Sequence, residues 1–148
     1  MSKTATYIHY GHDKFDIDKF VAPKSRHYLN KPRGGLWASR IDAKYGWKQW
    51  NSESGFTTCR EDNAFMFKIS ESANVLYINY VEDIYKLPDQ NTDLDLTCIK
   101  TVNFEQLMSD GIDAIELNIS NDWGLYDALY GWDCDSILIL NPNIIEII

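Results

Sequence analysis

The sequence predicts an α+β domain built on a curved or split antiparallel sheet with few, short helices. Short apolar or alternating runs rich in strand-forming residues outnumber stretches with helical spacing. The helical stretches are brief and end on glycine or proline, and no internal repeat, heptad or low-complexity tract interrupts the pattern. At 148 residues the chain fits one domain, residues 1–148, since a chain of that length buries roughly 68–70% of its unfolded surface.

In chain order, residues 6–10 alternate as a short strand and stop at Gly11. Residues 12–33 are polar and carry Pro23 and Pro32, which predicts a long connection with little regular structure. Residues 35–39 read as a second strand, opened by the pair Gly34-Gly35, which lets the backbone turn or approach a ligand closely. Within 41–50, Tyr45, Trp47 and Trp50 suit one helical face that Gly46 weakens. Residues 65–69 and 75–80 are strands, and 81–87 is a short helical segment stopped by Pro88. A surface loop covers 89–93.

Asn103 suits the N-cap of a helix through Met108, closed by Asp110-Gly111. A strand over 112–117 leads into a loop over 118–124. The apolar run 136–140 is a strand ended by Asn141-Pro142, and the tail 144–148 can add an edge strand.

Composition narrows the function classes. A formal net charge of −8 argues against non-specific attraction to nucleic acid or to an anionic membrane surface. The N-terminus lacks the apolar core of a signal peptide, and Ile137-Leu138-Ile139-Leu140 is too short to span a bilayer, so a cytoplasmic protein is expected. Cys59, Cys98 and Cys134 form an odd, widely spaced set, which predicts neither a disulfide framework nor a metal site. Five Trp, nine Tyr and six Phe provide either core volume or walls for a planar ligand.

Three clusters combine small, polar and aromatic residues in a way that packing alone does not require. In Tyr7-Ile8-His9-Tyr10-Gly11 an imidazole at a strand end can bond a ribose hydroxyl or an amide, Tyr10 can stack, and Gly11 lets a ligand near the backbone. In Gly34-Gly35-Leu36-Trp37-Ala38-Ser39 the indole and the hydroxyl lie two apart and share one face of a strand. This segment is neither a dinucleotide fingerprint nor a P-loop, because the third glycine and the Gly-Lys-Ser/Thr are missing. In Trp132-Asp133-Cys134-Asp135-Ser136 two carboxylates at the mouth of an apolar strand can face one side and stabilise a developing cation. Each cluster also has a purely structural reading: a hydrogen-bonded strand histidine, a hairpin glycine pair with a core Trp, and a solvated turn. Trp47 and Trp50 read as core or pocket wall, His12 and His27 as possible helpers, and Cys134 has no histidine partner in its motif.

In order and spacing the three clusters resemble the ADP-ribosyltransferase-like superfamily, especially its small bacterial and phage branches and the RNA 2′-phosphotransferases. The match rests on His9 with Gly11, Trp37 with Ser39, and Asp135 or Asp133 in the place of a late-strand acid. Aspartate stands where the superfamily usually has glutamate. The pairing of the first two clusters is also similar to a family of small phage and bacterial proteins, a likeness that implies no particular activity.

The resemblance implies NAD as substrate in a cleft between two sheets, with no metal. His9, Tyr10, Gly11, Trp37 and Ser39 would hold it, and Asp135 or Asp133 would support the cationic state as nicotinamide leaves. ADP-ribose would pass to a host protein or nucleic-acid acceptor, or NAD would be hydrolysed. Two other readings stay open: a non-catalytic acidic protein of phage or bacterial origin that binds and inhibits a basic host factor, and a nucleotide-binding sensor on the same fold.

Overall fold

The computed structural model describes residues 5–26, 29–55, 59–89, 102–129 and 132–148. His27, Cys98, most of the expected loop at 89–93 and the Tyr130-Gly131 pair lie outside them. Nine strands are present among the described residues: β1 Tyr7–Tyr10, β2 Lys24–Arg26, β3 Leu29–Arg33, β4 Leu36–Arg40, β5 Ala64–Ile69, β6 Val75–Ile78, β7 Ala114–Leu117, β8 Ser136–Ile139 and β9 Ile145–Ile147. Three short α-helices accompany them: α1 Trp47–Ser54, α2 Phe104–Ser109 and α3 Gly124–Ala128.

Seven strands form one sheet in the order β6-β7-β8-β4-β1-β5-β9, while β2 and β3 make a separate hairpin. The sheet is mixed rather than wholly antiparallel, because β6 and β7 run parallel. Parallel neighbours need a long crossover, and a 3-10 helix at Val81–Lys86 and then α2 lie between β6 and β7 in the chain.

Register sorts the side chains onto two faces. Tyr7 lies opposite Arg40 and Phe67, and Ala114 opposite Ile139. That face buries Tyr7, Ala38, Phe67, Ala114, Ile137 and Ile139, with Phe15 and Phe20 packed over it. Residues 12–26 and 29–33 therefore carry more regular structure than their polarity predicts. Phe15 and Phe20 flank a 3-10 turn at Ile17–Lys19, and β2 and β3 pair as a hairpin. Ser25 anchors that hairpin to α2, accepting from the Phe104 N–H at 2.9 Å.

The other face carries Ile78, Ile115, Leu117 and Leu138 beneath Phe104, Leu107, Leu125, Leu129 and Trp132. Helix α3 falls partly in and partly beyond the stretch expected to be loop. Its start is secured by Asp122, whose carboxylate accepts from the Gly124 N–H at 3.1 Å and the Val81 N–H at 2.9 Å. Helix α1 begins one residue after Gly46, so that glycine caps the helix rather than interrupting it, and the Gly46 N–H donates to Gln49 Oε1 at 2.9 Å.

The tail forms the expected edge strand, β9, on β5. The seam between β1 and β4 is short. Its ladder registers Tyr7 with Arg40 and Ile8 with Ser39, then stops. Past that point, the His9 side chain takes up the Trp37 carbonyl of β4.

Candidate functional site

His9 fills the place where the ladder ends. Its Nδ1 lies 2.6 Å from the Trp37 carbonyl oxygen and its Nε2 lies 2.9 Å from His12 Nδ1. A carbonyl only accepts, so Nδ1 carries the proton, Nε2 accepts, and His12 Nδ1 donates. The two rings stack at 5.2 Å, with Phe65 at 5.1 Å on His9. Burial pushes the His9 pKa below the usual histidine value, against the opposing pull of the Trp37 carbonyl, and the imidazole is held neutral.

That shift has a measurable consequence. Between the lowered folded value and the ordinary one near 6.5, the unfolded chain binds more protons than the folded one, so stability falls as pH drops through this window. His9→Asn keeps a donor for the Trp37 carbonyl but does not titrate. Its urea midpoint is expected to fall less than that of the native chain between neutral and mildly acidic pH, and equal falls would remove His9 as the cause.

Beside His9, a cavity of about 180 Å³ is lined by Tyr10, Gly11, Trp37, Trp47, Asn51 and Cys59. Trp37 meets Trp132 edge-on at 4.8 Å and Trp47 at 6.2 Å, which fixes the indoles as walls. Gly11 has φ 118, a conformation that side chains other than glycine's rarely adopt. Asn51, on α1, is 4% exposed. Its Nδ2 donates to the Trp47 carbonyl at 2.9 Å and to Cys59 Sγ at 3.2 Å. Its buried Oδ1 has no hydrogen-bond partner among the described residues. Burial raises the Cys59 pKa, so the thiol stays protonated and is a poor nucleophile.

Ser39 points to the opposite face from His9, because it registers with Ile8. It shares that face with Trp37, as their spacing predicts. Its hydroxyl donates to the Asp135 carbonyl at 2.7 Å and accepts from the Trp47 N–H at 3.0 Å, tying β4, α1 and the entry to β8 together. It borders a groove of about 630 Å³ that shares Tyr10 and Trp47 with the aromatic cavity and has Gly46 to Gln49, the start of α1, along one side.

Asp135 lies at a third place. It is 5% exposed, and its carboxylate accepts from the Ser120 N–H at 2.8 Å, the Ser120 hydroxyl at 2.6 Å and the Tyr45 N–H at 3.2 Å. Its own N–H donates to the Tyr45 carbonyl at 2.7 Å. Asp133 is half-buried two residues earlier and borders neither the cavity nor the groove.

The Gly34-Gly35 pair is also consumed by the fold. A Cβ on Gly34 would come within 2.7 Å of the Ala22 carbonyl oxygen, and one on Gly35 within 2.6 Å of Leu138 Cδ1. Both have positive φ, 77 and 76.

The structure thus brings His9, Tyr10, Gly11 and Trp37 together, sets Ser39 in the adjoining groove, and ties Asp135 into a loop junction. Sequence reading missed Asn51 and Cys59. The signal for Asn51 is its i,i+4 spacing from Trp47 on a helix whose other face is polar. Among the described residues, no group of three or more His, Cys, Asp or Glu is arranged to hold a metal ion, and no helix is long and apolar enough to cross a membrane. No family model, curated protein or solved structure matches the chain.

Proposed function

We propose that the chain binds an NAD-type nucleotide, with a planar, amide-bearing ring in the His9–Trp37–Trp47 cavity and the rest of the ligand along the Ser39 groove, and that it holds this ligand without cleaving it. The observation that carries the reading is the buried Asn51 Oδ1, an acceptor left open in an indole-walled cavity. A buried acceptor is costly unless something donates to it, and a carboxamide or exocyclic amine is such a donor. The start of α1 suits the phosphates through the partial positive charge of a helix N-terminus, with the Gly46 and Trp47 N–H groups already given to Gln49 Oε1 and Ser39 Oγ.

Binding without cleavage follows from the state of the acid. Departure of nicotinamide leaves positive charge on the ribose, which a free carboxylate would stabilise. The Asp135 carboxylate already accepts three hydrogen bonds and is directed into the loop junction.

Calorimetry with NAD, nicotinamide mononucleotide and ADP-ribose tests the binding, and an assay of NAD consumption in the presence of a host lysate tests the chemistry. Saturable binding with NAD intact is expected. Asn51→Ala is expected to weaken binding about tenfold, the value of one buried hydrogen bond. Absence of binding by all three ligands would sink the reading, and turnover of NAD would replace it with ADP-ribose transfer or NAD hydrolysis.

A second reading, engagement of a basic partner, is favoured by exposed rings among acidic residues. Tyr85 is 85% exposed, Trp123 53% and Tyr126 41%, with Glu82 and Asp127 exposed on the same segments. Arginine-rich segments suit such a surface through cation–π contact and charge. Salt-sensitive binding of an arginine-rich peptide that Trp123→Ala weakens would support it, and binding unaffected by that change would count against it.

A further inference from the structure

At the other end of β4 from the aromatic cavity lies a cleft of about 450 Å³ that the nucleotide reading does not use. The parallel strands β6 and β7 end there side by side, at Ile78 and Leu117, and each is followed by an asparagine, Asn79 and Asn118. Ligands favour the carboxyl ends of adjacent parallel strands, where backbone and side chains diverge around a crevice.

The charged groups on the floor of the cleft already have partners. Glu116, 2% exposed, receives Arg40 Nε at 2.7 Å, Arg40 Nη2 at 2.8 Å and the Tyr7 hydroxyl at 3.0 Å. Asp135 is likewise occupied by Ser120 and Tyr45. At the rim, Lys44 and Asp42 offset each other. The lining therefore sets Arg40 and Lys44 against Asp42, Glu116 and Asp135, a small negative excess that disfavours a phosphate.

What remains is a set of oriented carboxamides. Asn118 Nδ2 donates to Asn79 Oδ1 at 2.6 Å, and Asn121 Nδ2 donates to the Asn79 carbonyl at 2.9 Å. These bonds fix all three side chains and leave Asn79 Nδ2, Asn118 Oδ1 and Asn121 Oδ1 for another partner. Exchanging the amide orientations of Asn79 and Asn118 swaps the roles but still leaves one donor group and one acceptor side by side. Tyr80, 54% exposed, adds an aromatic ring to the same cleft.

Adjacent donor and acceptor suit a pair of neighbouring hydroxyls, each of which both gives and takes a hydrogen bond. An exposed ring suits the C–H face of the molecule that carries them. A nucleobase, by contrast, would call for flanking apolar planes that this cleft lacks. We propose that the cleft binds a single neutral sugar ring, with vicinal hydroxyls on Asn79 and Asn118 and one ring face toward Tyr80. This site is independent of the aromatic cavity and does not rest on the nucleotide reading.

The test is nuclear magnetic resonance on the full chain, following the side-chain amides of Asn79, Asn118 and Asn121 during separate titrations with ribose, glucose, galactose, N-acetylglucosamine and inorganic phosphate. At least one sugar is expected to give saturable shifts at millimolar concentration, while phosphate gives none. Asn118→Ala is expected to weaken that binding about tenfold, with Asn121→Ala and Tyr80→Ala as exposed alternatives should Asn118→Ala not fold. No saturable shift with any of the sugars, equal or larger shifts with phosphate, or sugar binding unchanged in every folded variant would each overturn the proposal.

Discussion

Asp135→Ala is expected to destabilise the fold by at least about 3 kcal/mol, because hydrogen bonds to a charged acceptor are each worth roughly 1.5–3 kcal/mol, are not additive where they share one acceptor, and leave donors with a desolvation cost. Three donors, the Tyr45 N–H, the Ser120 N–H and the Ser120 hydroxyl, lose their acceptor together. For a chain of this size that loss lowers the melting temperature by about 6–12 °C. Asp135→Asn keeps one acceptor oxygen but turns an N–H group toward the donors, so it should fall between the two.

Urea denaturation measures the loss. A change below about 0.5 kcal/mol, the range of an ordinary surface substitution, would show that the junction does not depend on this carboxylate. Nucleotide affinity of the folded Asp135→Ala protein at low temperature should match that of the native chain. An acid that touched the ligand would not leave affinity unchanged.

Glu116→Ala is expected to cost about 3–5 kcal/mol, near the lower end, because it leaves Arg40 and the Tyr7 hydroxyl facing an empty acceptor site. The lower end applies because the Arg40 side chain keeps 27% of its exposure and so some contact with water. Burial, and then the Glu116 charge, push the Tyr7 phenol above the usual tyrosine range. Its bond to Glu116 likewise holds the Arg40 guanidinium more firmly protonated than usual.

The triple change Tyr7→Phe, Arg40→Met and Glu116→Leu removes all the polar partners at once. Replacing a buried ion pair by packed apolar groups is often neutral or stabilising, so most of the single-mutant loss should return. Equal losses in the single and triple variants would show that packing volume, not the unpaired charge, governs this site.

The strands were legible because their periodicity is local. Phe65 and Phe67 alternate with Met66 and Lys68, and register only had to choose which face goes inward. The tail strand could be read in the same way from its isoleucines. The hairpin of β2 and β3 could not, since Pro32 and the polar residues around it argue for loop, and the hairpin is held by Ser25 meeting a helix almost eighty positions away in sequence, at Phe104. Helix α3 was hidden by the expected loop, although Asp122, which accepts from the Gly124 N–H, precedes the apolar i,i+4 pair Leu125 and Leu129.

The candidate site was half legible for a related reason. Residues two apart on one strand, Trp37 and Ser39, can be assigned to one face from spacing alone. Whether His9 shares that face depends on the cross-strand register of β1 with β4, which no short motif encodes. The Asp135 carboxylate was read as available because its donors, Tyr45 and Ser120, are remote in sequence. Asn51 escaped notice because a lone helical asparagine usually faces water, whereas here α1 is folded back against Trp37 and Cys59.

The short ladder between β1 and β4 makes the sheet two leaves sewn by few stitches, with the aromatic cavity set where the stitching ends. A molecule lodged there would act as a clasp, touching Tyr10 on one leaf and Trp37 on the other. Amide exchange at the margins of this opening should therefore slow on loading by more than at the centre of either leaf, where the cross-strand bonds already set the rate of opening.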